Sequence, residues 1–311
     1  MQIKEAYPPG HFYSVIPLLT ESSIQEEEDK KEEKKIPFLG LDFRDDRHWK
    51  ILKELPTFLT YFDTTFGITP FEDKEDLDRK VKERSNYFFY SIFNDNFGWM
   101  DARLLYYLLQ KKKPRKIIEI GCGNSTLLIF NTKKMFGLNL EIICIEPYPH
   151  DYILTLHKEG HVQLIESKLE DVESDIFSSL EANDILFIDS SHVGKYKSDV
   201  LFYFSNIFPL LKKNVLVHIH DIFFPLDYPS SWLKSGRFWN EQYFLYVFLQ
   251  YNTKFSVLFG NAYALYKFPK KLFELQKNFY EHQHQLAFPA TPFGGGSFWL
   301  VVESDEESSK K

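Results

Sequence analysis

The sequence predicts an α/β fold: a mostly parallel, seven-stranded sheet with helices on both faces, preceded by an N-terminal extension. Three observations predict it. From about residue 100 to 270, short apolar runs alternate with longer stretches of helical spacing, the order that crossover units produce. The runs are apolar nearly throughout, as strands buried on both faces are. Run after run then ends in a glycine or a charged residue, so polar side chains collect at the strand tips.

The elements follow in order. Pro8 to Pro17 is too short and too Pro-rich to fold alone. Its Phe12 and Tyr13 read either as a strap over exposed core or as part of a lid that supplies His11 or Tyr13 to an acceptor. Residues 21–35 have almost nothing to bury and read as a solvated acidic linker. Trp49–Phe62 has helical spacing at Ile51, Leu52, Leu55 and Leu59, with Pro56 placed to break or kink it. Glu72–Arg84 reads as a charged surface segment. Asp101–Gln110 is a helix, Lys116–Ile120 a strand ending at Gly121, and Ser125–Phe136 a helix. Glu141–Ile145 is a strand ending at Glu146, and Val162–Ile165 is the third strand. Asp184–Ile188 ends at Asp189, Ser198–Leu211 is helical, and Asn214–Ile219 ends at His220-Asp221. A helix over Phe238–Tyr251 and strands over Phe255–Phe259 and Ser297–Val302 complete the pattern. Gly294-Gly295-Gly296 is a turn into the last strand, not a phosphate loop, because no Lys-Ser/Thr follows. We divide the chain into an extension or cap (1–93), a main domain (94–302) and a polar, mobile tail (303–311).

Composition narrows the function. With 311 residues, 44% of them apolar and 17% aromatic, the chain has ample material for a core and is not a disordered protein. A net charge of −7 argues against a nucleic-acid binder, which shows a basic face. Two cysteines make no disulfide framework. No apolar run approaches the roughly 20 residues of a membrane span, and the start lacks the regions of a signal peptide. A soluble, cytoplasmic protein is the expectation; the oligomeric state is left open.

In a sheet of this kind the ligand sits outside the carboxyl ends of the strands, near the switch in strand order. Glu119, Gly121, Glu146, Asp189, His220 and Asp221 should therefore converge. Glu119-Ile-Gly-Cys-Gly-Asn-Ser-Thr126 ends one strand and opens a helix, so its glycines let backbone N–H groups approach a ligand. Asn124 or Ser125 can cap that helix. Glu146, at the next strand end, suits a bidentate contact to ribose hydroxyls, although the dinucleotide pattern wants a third glycine where Thr126 stands.

With its Ile145-Glu146-Pro147, this turn resembles that of the class I S-adenosylmethionine-dependent methyltransferases, which have a Rossmann-like fold. The chain also resembles a bacterial group of uncharacterised methyltransferase-domain proteins, through 9–17, 94–109, 145–149, 187–200, 217–229 (with its His-Ile-His-Asp), 236–245 and 295–300. The Asp189 and Asp221 pair is similar to that of metal-dependent sugar O-methyltransferases. The resemblance implies that S-adenosylmethionine is the cofactor. Glu119 and Gly121 would lie along its methionine part, Gly123 and Ser125 would border it, and Glu146 would hold the ribose. Leu169 would flank the adenine, and Asp189 would stand beside the cofactor.

For catalysis, Asp189 to His192 and His218 to Asp221 should face each other across neighbouring strands. His218 and His220 share one face. A hydroxyl nucleophile benefits from a base near neutral pKa, for which His220 is the first choice and His192 the second, with Asp189 and Asp221 beside them. Asp189, His220 and Asp221 could instead hold a divalent cation. His218 reads as a core histidine. Arg237 and Trp239 stand at the cleft rim as candidate acceptor contacts, though the aromatic spacing 239, 243, 246 also suits packing. The expected activity is methyl transfer to a small hydroxylated acceptor, such as a sugar or an intermediate of polysaccharide or secondary metabolism. The alternatives are aminopropyl transfer, a cofactor-binding protein without chemistry, and a metal-dependent hydrolase built on Asp189, His192, His218, His220 and Asp221.

Overall fold

The computed structural model describes residues 6–16, 39–66, 75, 79, 88–92, 94, 96–281 and 295–303. The acidic stretch 21–35, most of 72–84, Gly294 and the tail after 303 lie outside the described residues. Seven strands form one sheet: β1 (Lys116–Ile120), β2 (Glu141–Ile145), β3 (Gln163–Ile165), β4 (Ile185–Ile188), β5 (Leu216–Ile219), β6 (Phe255–Gly260) and β7 (Phe298–Val302). Their order is β3-β2-β1-β4-β5-β7-β6. Strands β1 to β5 pair in parallel, whereas β7 runs antiparallel to both of its neighbours. This is the mostly parallel sheet of a Rossmann-like class I fold, as the sequence predicts.

Alternation along the strands builds a core on each face. Ile118, Ile120, Ile143, Ile145, Leu186, Ile188, Val217 and Ile219 bury on one side. Ile117, Ile142, Cys144, Ile185, Phe187 and Leu216 bury on the other. The second side is covered by α3 (Trp99–Lys112) and α4 (Asn124–Phe136), and it also receives α1 (Asp45–Phe58) and α2 (Phe62–Phe66). Leu52, Leu55, Phe62 and Phe66 thus share a core with Leu105 and Tyr106. Among the described residues, the remaining helices are α5 (Asp151–Lys158), α6 (Asp199–Phe202), α7 (Ser230–Lys234), α8 (Glu241–Gln250), α9 (Asn261–Lys267) and α10 (Pro269–Glu281).

Several boundaries differ from expectation for local reasons. Helix α1 starts four residues early, with Asp45 and Asp46 in its first turn, where carboxylates suit the helix dipole. It carries Pro56 and ends two residues later, so the proline costs only the last turn. Asp184 falls outside β4 because its carboxylate accepts the N–H groups of Arg115, Lys116 and Glu181. The helix expected over 198–211 is α6 followed by a π turn (Tyr203–Ile207) and a 3₁₀ turn (Phe208–Leu210). There the Ser205 hydroxyl donates to the Leu201 carbonyl, and Pro209 has no N–H to give. Glu303, expected in a mobile tail, is tied down: its Oε1 lies 2.7 Å from Arg47 and accepts from Ser256. Among the described residues, no helix is long and apolar enough to cross a membrane.

Candidate functional site

The sheet ladder continues one residue beyond the strands and aligns their tips. The N–H of Gly121 donates to Ile145 O (3.0 Å), and that of Glu146 to Ile165 O (3.1 Å). The N–H of Asp189 donates to Ile120 O and that of His220 to Ile188 O, both at 2.9 Å. Glu146, Gly121, Asp189 and His220 therefore stand side by side on β2, β1, β4 and β5, across the switch between β1 and β4. Three inter-strand gaps of about 4.8 Å make this row about 14 Å wide, enough for a nucleoside with an amino-acid tail.

The turn after β1 meets the demands of such a ligand unevenly. Gly121 has φ +80°, and a Cβ there would lie 1.7 Å from the Asp189 carbonyl oxygen, so only glycine fits. Gly123 has extended backbone with φ −173°, and its Cβ would meet nothing nearer than the Tyr152 hydroxyl at 3.7 Å. Its smallness is not required by the chain itself. Thr126, in the place of the third glycine, is wholly buried; its hydroxyl accepts from the Gly123 N–H (3.0 Å) and donates to Glu119 (2.6 Å).

Glu119 is placed differently from expectation. Its side chain is fully buried, and its two oxygens accept from the Ser125 and Thr126 hydroxyls, so it clamps the helix start instead of lining an open cleft. Ser125 is buried with it. Burial pushes the Glu119 carboxyl up to about 7, against the pull of the two hydroxyls. Because the folded value exceeds the 4.5 of the free group, this residue's contribution to stability is full below pH 4.5 and is lost as pH rises through about 7. Urea unfolding at pH 5 and pH 8 should show a loss of roughly 3 kcal/mol from this residue. Glu119→Gln should flatten that slope, and an unchanged slope would contradict the assignment.

Glu146 lies at the β2 tip, half-buried. Its Oε1 accepts from the Tyr148 N–H (2.8 Å), and its Oε2 from the Cys122 N–H (3.4 Å). Leu169 is only 3% exposed and packs in the core with Ile143 and Ile145.

Beside Gly121 the acidic and imidazole groups meet. The Asp189 Oδ1 is 3.4 Å from His192 Nε2 and 3.5 Å from His220 Nδ1. Asp221, at φ +56°, turns inward; its oxygens lie 3.5 Å from His220 Nδ1 and 3.6 Å from His192 Nε2. Asp189, His220 and Asp221 offer donor atoms close enough together to hold one ion. Burial alone would raise the Asp189 carboxyl, yet His220 and His192 hold it far below the usual range. Burial would lower both imidazoles, but the carboxylates prevail. Glu241 and Asp189 push His192 up to about 10, and Asp221 and Asp189 raise His220 well above its ordinary value. Both shifts run upward, away from the near-neutral value expected of a base.

Other expected residues fall into place or apart. His218 is a core histidine: fully buried, stacked on Phe187 at 3.8 Å, with Nε2 2.9 Å from the Ser297 hydroxyl. Burial, then the His220 charge, lowers its pKa well below normal. Trp239 lies against His192 at 4.3 Å, and the Arg237 guanidinium sits over Trp232 and Trp239 at 5.4 and 5.7 Å. His11 and Tyr13 are not drawn into the cluster. Among the described residues their ring contacts are with Tyr7, with Phe12 and with each other, and Tyr13 is 62% and Phe12 80% exposed.

Two carboxylates hold the histidines in contacts that the sequence does not foretell. Glu241, fully buried at the start of α8, lies 2.7 Å from His192 Nδ1. Asp101 on α3 has Oδ2 3.6 Å from His220 Nε2, while its Oδ1 accepts from the Ser297 N–H and the Asn261 amide. A lone carboxylate among the apolar residues of α3 was the available signal. The glycines before β7 are also part of this wall. A Cβ on Gly295 would reach Asp101 Oδ1 at 2.6 Å, and one on Gly296 would reach Asp221 Cα at 2.7 Å.

Several known proteins are similar to this chain. A family model described as "Methyltransferase domain" matches residues 118–222, the span from β1 to just past β5. An uncharacterised protein of Archaeoglobus fulgidus is 29% identical over 188 residues, covering 59% of this chain and 78% of the relative. Among solved structures, the S-adenosylhomocysteine-bound methyltransferase PaMTH1 of Podospora anserina is 14% identical, covers 94% of this chain and 99% of its own, and gives a TM-score of 0.41. The plantazolicin methyltransferase BpumL with the same ligand is 14% identical, covers 82% and 99%, and gives 0.40. The glycine turn, the acidic β2 tip and the strand order meet within the span that the family model matches, and residues 118–222 are similar to a methyltransferase domain.

Proposed function

We propose that the chain methylates a hydroxyl of a small acceptor, such as a sugar, with a divalent cation held by Asp189, His220 and Asp221. The observation that carries this is contact: the Asp189 carbonyl presses on Gly121 of the cofactor turn while its carboxylate faces His192 and His220. The cofactor and the charged cluster thus share one cleft.

S-adenosylmethionine supplies the methyl group: its S–C bond breaks as the bond to the acceptor oxygen forms, leaving S-adenosylhomocysteine and a proton. Gly121 and Gly123 let the backbone approach the cofactor, and Glu146 receives the ribose hydroxyls. Glu119 and Ser125 position the turn from beneath it, and Leu169 backs the adenine side from the core. The Asp189 and Asp221 side chains, 28% and 16% exposed, are what an acceptor meets first, and they orient its hydroxyl by accepting its hydrogen bond. His192 and His220, 5% and 7% exposed, stand behind them. A bound cation would stabilise an oxygen that is losing its proton. The Trp239 and Trp232 rings with Arg237 form an aromatic, cationic rim that suits a sugar or a phosphorylated sugar.

A thermal-shift comparison tests the reading. S-adenosylmethionine and S-adenosylhomocysteine should raise the melting point and NAD should not. Glu146→Ala should weaken S-adenosylhomocysteine roughly 10–100-fold, the value of hydrogen bonds to a charged group. Release of S-adenosylhomocysteine across a panel of hydroxylated acceptors then identifies the class, and a panel of amines or thiols that wins instead would refute O-methylation.

A further inference from the structure

The cleft rim holds a guanidinium in a fixed place. At the end of α7, Gly236 has φ +79°, its N–H donates to Leu233 O (3.0 Å), and the Arg237 N–H donates to Trp232 O (2.9 Å). This paired closure carries Arg237 back over Trp232. Its Cζ lies 5.4 Å from the Trp232 ring centre and 5.7 Å from that of Trp239. The two indoles stand at 73° with centres 4.7 Å apart, and the guanidinium rests against both. These contacts use its charge. Among the described residues, its side chain meets no carboxylate, and none of its side-chain N–H donors is hydrogen-bonded. The planar fork that matches a phosphate is thus left open at the rim. Trp239 also lies 4.3 Å from the His192 ring, so one indole joins the guanidinium to the charged cluster. Along that indole the charge changes sign: the Asp189 and Asp221 carboxylates stand at the inner end and Arg237 at the outer end.

Resting on the methyl-transfer reading above, we propose that the acceptor is a sugar phosphate whose phosphate sits on Arg237 and whose methylated hydroxyl lies on the far side of the sugar ring. A phosphate brings more charge and more acceptor oxygens to the fork than a carboxylate does. The two aspartates repel the same group, so the acceptor enters in one direction only. The apolar C–H face of the ring then lies on Trp239, and the hydroxyl opposite the phosphate reaches Asp189. Arg237 selects the acceptor and sets its direction without touching the reacting atoms.

The test is calorimetric binding of matched probes to the full chain, with S-adenosylhomocysteine titrated separately. The probes are glucose, glucuronate and glucose 1-phosphate, and the same sets built on galactose and mannose. In at least one set the phosphate should bind about 10–100-fold more tightly than the free sugar, the value of hydrogen bonds to a charged group, and more tightly than the uronate. Arg237→Gln should remove that gap and leave the free sugar's affinity unchanged, and about 0.5 M salt should narrow it. In turnover, NMR of the product should place the methyl group on a hydroxyl that is not next to the phosphate-bearing carbon. No gap in any set, a uronate that binds as tightly as the phosphate, or methylation next to the phosphate overturns the proposal. So does a gap that chelator abolishes and Arg237→Gln preserves, because the phosphate would then sit on the cation with the acceptor reversed. A gap that depends on Arg237 in a chain that binds no S-adenosylhomocysteine would leave the phosphate site standing and overturn the methyl-transfer reading.

Discussion

Gly121→Ala is expected to abolish binding of S-adenosylhomocysteine and to lower the melting temperature by about 4–10 °C. The backbone there has φ +80°, where a side chain costs about 1–2 kcal/mol. The added Cβ would also lie 1.7 Å from the Asp189 carbonyl oxygen, so β1 and β4 must part or the turn must lift. Overpacking of this kind costs about 1–3 kcal/mol more. Moving the turn removes the backbone N–H groups that face the ligand. Gly123→Ala provides the contrast: its Cβ would meet only the Tyr152 hydroxyl at 3.7 Å, so the melting temperature should change little. Affinity should still fall, because the new methyl group takes space that the cofactor needs. Fluorimetry with and without S-adenosylhomocysteine reads both effects. If Gly121→Ala bound the ligand normally, the turn would not be the cofactor site.

Asp189→Asn is expected to reduce methyl transfer on the order of 10²–10⁴-fold while S-adenosylhomocysteine affinity changes by less than about threefold. The substitution keeps the shape of the β4 tip and its backbone bond to Ile120, but removes the charge that faces His192 and His220. Asp189 is the most open member of the cluster, at 28% exposure, so the loss should fall on turnover more than on folding. The measurement is single-turnover transfer to an acceptor found in the hydroxyl panel, paired with calorimetric titration of S-adenosylhomocysteine. Undiminished turnover would remove Asp189 from the chemistry. Lost affinity with intact turnover would make it a cofactor contact alone.

Much of the fold could be read locally because its signals are local. An apolar run such as Ile142 to Ile145, closed by Glu146, declares a buried strand and its polar tip within six residues. The glycine turn declares itself because φ +80° at Gly121 excludes other residues. The placement of Glu146, Asp189 and His220 at neighbouring tips follows from the same pattern once the strands are parallel.

Other features depend on contacts that no window of sequence contains. Glu119 looks like any strand-end carboxylate, and only the return of α4 over β1 buries it against two hydroxyls. His192 and Glu241 are 49 residues apart and meet because α8 begins where the β4 loop turns back. Asp101 reaches His220 from the first turn of α3, and Gly295 and Gly296 close the wall from before the last strand. Residue type and spacing decided which strands exist and which tips bear charge. The packing of helices onto the sheet decided which of those charges are buried, which histidines are held by a carboxylate, and so which groups can still change partners.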